Sequence, residues 1–113
     1  MAMDKPWRVT HLSSFDAGGD MDSVYQNRAF LGGVIYGHSA TSTANITVYD
    51  SALPTGDTAE NPILVAYTGN DARSLHVDLS GAPIPMDNGI AFAPSVTANA
   101  YVTVIWAPRG PSE

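Results

Sequence analysis

Ala44-Asn45-Ile46-Thr47-Val48-Tyr49 and Ser74-Leu75-His76-Val77-Asp78-Leu79-Ser80 are the two stretches that decide the fold. In the first, Ile46 and Val48 fall on one side and Asn45, Thr47 and Tyr49 on the other. In the second, Leu75, Val77 and Leu79 oppose His76 and Asp78. A period of two is that of an extended strand, whose successive side chains point to opposite faces of a sheet. Outward from these, residues 29–36, 63–67 and 101–106 are apolar on both sides and fit strands covered on both faces. Residues 89–93 form a short strand opened by the Asn88-Gly89 turn. Residues 7–12 read as an edge or capping strand.

Ten glycines and eight prolines recur at short intervals and break any long helix. Residues 13–23, 50–62 and 81–88 are Gly-, Pro- and Asp-rich connectors. The expected architecture is all-β: an antiparallel β-sandwich of seven or eight short strands, jelly-roll-like or Ig-like. The sandwich is expected over residues 29–108, after an N-terminal arm or edge segment at 1–28 and before a flexible tail at 109–113. Val48, Val77, Phe92 and Val104 are expected in its core.

Composition narrows the function. A chain of 113 residues is one domain, and 44% hydrophobic against 14% charged residues argues against disorder throughout. The absence of cysteine excludes a disulfide scaffold, a thiolate zinc site and a cysteine nucleophile. Net charge is −6 with only five Lys and Arg, so no nucleic-acid partner is expected. No apolar run reaches the roughly 18 residues that span a bilayer, so no membrane partner is expected. Residues 1–6 lack the apolar stretch of a signal peptide.

Each candidate for chemistry has a plainer structural account. Asp16, Asp20 and Asp22 share a Gly-rich loop, but without EF-hand spacing they read as a solvated loop rather than a calcium site. His76 and Asp78 share a strand face, as polar outer positions of a half-buried strand do, and His11 and His38 have no H-x-x-x-H companion. His38 stands beside Ser39 without a G-x-S-x-G elbow. Gly32-Gly33 lies inside an apolar strand and marks a bulge or a close-packing point. No catalytic residue, metal ligand or cofactor is expected. Tyr25, Tyr36, Tyr49, Tyr67 and Tyr101 are the candidate interface residues, since tyrosine is enriched at protein interfaces and also stacks on sugar rings. Cross-strand packing within the monomer is the alternative for the same five.

The run Phe30-Leu31-Gly32-Gly33-Val34-Ile35-Tyr36 is followed by the polar turn Ser39-Ala40-Thr41-Ser42-Thr43 and by Ala44-Asn45-Ile46-Thr47-Val48-Tyr49-Asp50-Ser51. Then come Pro62-Ile63-Leu64-Val65-Ala66-Tyr67, Val77-Asp78-Leu79, Asn88-Gly89-Ile90-Ala91-Phe92 and Ala100-Tyr101-Val102-Thr103-Val104-Ile105-Trp106. Over residues 29–108 this succession resembles the small β-sandwich structural proteins of tailed bacteriophages. The resemblance implies a non-enzymatic virion component, made in the host cytoplasm and resident on the capsid surface. A capsid decoration or cement protein is the favoured form, bound to the major capsid protein or another virion protein; a homo-oligomer such as a trimer is compatible with that role. A head–tail connector, a tail or fibre component and a carbohydrate-binding adhesion module are the alternatives.

Overall fold

The chain pairs with itself from its middle outward. The computed structural model describes residues 6–15, 21–39, 43–68, 74–97 and 99–110. Its strands are β1 Arg8–Leu12, β2 Asp22–Tyr25, β3 Ala29–Gly37, β4 Asn45–Tyr49, β5 Pro62–Tyr67, β6 Ser74–Asp78, β7 Ile84–Met86, β8 Ile90–Pro94 and β9 Tyr101–Pro108. β4 and β5 form the innermost antiparallel pair. Around it β3 pairs with β6 and β7, β2 with β8, and β1 with β9, all antiparallel. This nest is one long hairpin, and rolling it up adds two more antiparallel seams, β3 with β9 and β4 with β8. One sheet is then ordered β1-β9-β3-β6, with β7 also on β3, and the other β2-β8-β4-β5. The two sheets interleaved in this way, with the nested pairs alternating between them, are those of a jelly roll and not of an Ig-like sandwich. Among the described residues there is no helix.

Period-two alternation builds the core. Ile46 and Val48 of β4 and Ile90 and Phe92 of β8 face Val34 and Tyr36 of β3 and Val102 and Val104 of β9, and all are fully buried. Side chains of this kind each stabilise the fold by roughly 1.5–3 kcal/mol when taken out of water. Val48, Phe92 and Val104 thus lie where the sequence places them. Val77 does not: it points inward opposite Val34, but β6 is an edge strand and leaves it only half-buried.

Two further expectations change and one takes its second form. Residues 63–67 were expected to be covered on both faces, yet β5 is an edge strand with one face open. The described part of the segment expected as an arm or edge segment takes the edge form: β1 and β2 each lie at an end of their sheet, and Met21 is fully buried. Each of these strands meets a long apolar partner, β9 or β8, and hydrogen bonding to that partner outweighs the loop-like composition around it. Residues 1–5 and 16–20 lie outside the described residues. The start of the expected tail is fixed: the Arg109 backbone N–H donates to the Arg28 carbonyl at 3.1 Å, and its guanidinium donates to the Met86 carbonyl and Asp87 Oδ1, both at 2.9 Å. Residues 111–113 lie outside the described residues.

β3 is covered on both faces, and glycine is the reason. Its register with β9 shifts between Leu31 and Gly33, so Gly32 sits in a bulge. A Cβ at Gly32 would lie 2.6 Å from Trp7 Cζ3, and one at Gly37 would run into the Tyr101 ring. The two aromatic rings sit against backbone that only glycine leaves bare, which roofs the outer side of the strand.

Candidate functional site

The five tyrosines do not form one row. Tyr36 is fully buried: its hydroxyl donates to the Val96 carbonyl at 2.7 Å and accepts from the Val96 N–H at 3.1 Å. Burial holds the Tyr36 phenol above its ordinary pKa of 10.0, against the opposing pull of its bonds to Val96 and Ser95. It is a core residue and leaves the interface set. Tyr25 is half-buried on β2 and packs on Trp106, ring centres 4.4 Å apart, bridging the two sheets. Tyr49 is half-buried on the outer side of β4, between Ala91 and Pro62. Tyr101 lies over Gly37 with its ring 5.9 Å from that of His11.

Tyr67 is the tyrosine that faces solvent broadly, at 66% exposure. Alternation along β5 sets Leu64 and Ala66 inward and Ile63, Val65 and Tyr67 outward, with Ile63 at 39% and Val65 at 46% exposure. On the neighbouring strand Thr47 stands opposite Val65 and Asn45 opposite Tyr67. The result is an open apolar stripe flanked by uncharged polar groups, and β5 itself carries no charged residue in a chain of net charge −6. Ile63 and Val65 escape a reading by residue type because the whole run is apolar; what exposes them is the place of β5 at the end of its sheet.

The remaining candidates are dispersed. His76 and Asp78 sit on the outer side of β6, opposite Ile35 and Gly33. Asp78 Oδ1 accepts the Ser80 N–H at 2.9 Å, and its bonds to Ser80 hold its carboxyl below the usual range. His38 is buried, its Nε2 3.3 Å from Thr68 Oγ1 and its Nδ1 without a partner among the described residues, whereas Ser39 is exposed. Asp22 is buried on β2; Asp16 and Asp20 lie outside the described residues. Among the described residues no group of three or more His, Asp or Glu is placed to hold a metal ion.

Asp50, last of the I-T-V-Y-D run, has a structural task. Its carboxylate accepts the backbone N–H groups of Asp87, Asn88 and Gly89 at 3.1, 2.8 and 3.2 Å, which anchors the turn before β8 to the end of β4. Gly89 is required there, because a Cβ would meet the carbonyl oxygens of Tyr25 and Ser51. In comparisons with protein-family models, curated proteins and solved structures, nothing matches this chain.

Proposed function

We propose that the protein is a non-enzymatic structural component of a bacteriophage particle, a decoration or cement protein that binds the assembled capsid surface. The observation that carries this reading is the outward stripe Ile63, Val65 and Tyr67 on the edge strand β5. An uncharged apolar stripe of this kind suits an apolar protein surface better than a charged polymer, and many copies on one lattice add strength by multivalency. The resemblance of residues 29–108 to phage sandwich proteins supplies the identity of that surface. A protein that binds the assembled lattice better than free subunits stabilises the lattice by mass action.

The test is to add purified protein to particles that lack it and to measure heat or chelator resistance at low and high salt. Saturating protein raises the resistance, and attachment changes little with salt because no ion pair carries it. Val65→Asp and Tyr67→Ala weaken attachment while the fold persists. Saturated binding with unchanged resistance rejects the cement role. Loss of binding as salt rises moves the docking face to the exposed acids Asp57 and Glu60.

A further inference from the structure

Gly32 and Gly33 leave more than a bulge. On the outer side of the β1-β9-β3-β6 sheet, beside the point where Trp7 covers Gly32, lies a hollow of about 320 Å³. Register fixes its walls: Gly33 pairs with Ile105 on one side and with Asp78 on the other. Ile105 lines the floor, Trp7 reaches across from the start of β1 to lie over Gly32, and His76, Asp78 and Ser80 form the far rim. The volume is at the lower end of the roughly 300–1,000 Å³ typical of small-ligand pockets.

We propose that this hollow binds a neutral saccharide, the terminal sugar of a glycan. A sugar ring has an apolar C–H face and an edge of hydroxyls; the lining of the hollow is mainly apolar, with a small polar part at His76, Asp78 and Ser80. Trp7 and Ile105 offer apolar surface to the ring face. Asp78, His76 and Ser80 stand together where the hydroxyls would lie. Ionised Asp78 only accepts hydrogen bonds, which hydroxyls supply as charge-assisted donors, and the Ser80 N–H already fixes its orientation. The same carboxylate repels phosphate and acidic sugars. The hollow belongs to the sheet opposite the one that carries Ile63, Val65 and Tyr67, so the proposal does not rest on the docking reading.

The test uses the full chain on an array of neutral hexose- and N-acetylhexosamine-terminated glycans. The terminal monosaccharide of the best-bound glycan is then titrated into ¹⁵N-labelled protein. Binding is expected, with shifts confined to the Trp7 indole N–H and the amides of Gly32, Gly33, Asp78 and Ser80. Asp78→Asn, at an exposed position, weakens binding about tenfold or more. Trp7→Ala weakens it similarly; if that variant unfolds, Asp78→Asn decides. The proposal is overturned by no binding to any neutral glycan, by shifts centred on Tyr67 or Tyr25, by undiminished affinity in Asp78→Asn, or by preference for acidic glycans.

Discussion

β3 and β5 occupy opposite situations in one roll. β3 is hydrogen-bonded on both edges, to β9 and to β6 and β7, and its outer side is roofed by Trp7 and Tyr101. β5 has β4 as its hydrogen-bonded neighbour and leaves Ile63, Val65 and Tyr67 in water. Both strands are nearly pure apolar sequence, so hydrophobicity does not separate them. Their place in the sheet order does, together with the glycines that let rings lie on one strand and not on the other. Apolar side chains in β3 serve stability, and the outward ones in β5 stay exposed to solvent.

The comparison is broken most directly by a charge placed on each strand. Val34→Asp puts an unpaired carboxylate among fully buried neighbours and costs on the order of 4 kcal/mol, a large fraction of a small domain's stability. Circular dichroism should show little cooperative melting; a melt within a few degrees of the parent would refute the burial of β3. Gly37→Ala comes next, at about 1–3 kcal/mol, because the Tyr101 ring must move. In a Tyr101→Ala background the same change should cost much less, and a double-mutant cycle showing additivity would contradict the roof.

Asp50→Ala, between the extremes, should cost about 1–2 kcal/mol in urea unfolding by stranding three turn N–H groups. Tyr36→Phe should lower stability by about 1 kcal/mol at neutral pH. A second signature is at alkaline pH. With the folded pKa above 10.0, the unfolded chain loses its proton first, so stability falls as pH rises past 10.0 toward the folded value. Tyr36→Phe should flatten that alkaline decline, and an unchanged slope would mean that another group causes it. The smallest effect is the most telling for β5: Val65→Asp should change stability by about 0.5 kcal/mol or less while reducing attachment to particles.

Much of the roll can be read from residues. The alternation of Ile46 and Val48 with Asn45, Thr47 and Tyr49, and of Leu75, Val77 and Leu79 with His76 and Asp78, locates β4 and β6 directly. Gly32-Gly33, read as a bulge or a close-packing point, proves to be both. Two strands were hidden for definite reasons. β2 offers only Val24 and Tyr25 after an Asp- and Gly-rich loop. β7 contains Pro85, tolerated because this short strand pairs with β3 alone. Tyr36 was misplaced because β3 has no polar residue to mark its outer face. The hollow beside Trp7 was illegible because four separated segments build it.

Nesting the strand pairs has a mechanical consequence. Arg8 lies opposite Trp106, so both ends of the roll leave the same end of the same strand pair. Tension applied through the two ends would therefore act across the β1–β9 ladder, loading its hydrogen bonds one after another rather than all at once. A roll held this way peels open at low force. β5 lies at the end of the other sheet, where it touches β6 at the far edge of the first, and a pull applied through β5 would not enter through the β1–β9 seam. Single-molecule stretching should thus find the protein weak when tethered by its ends and markedly stronger when tethered through a residue in β5.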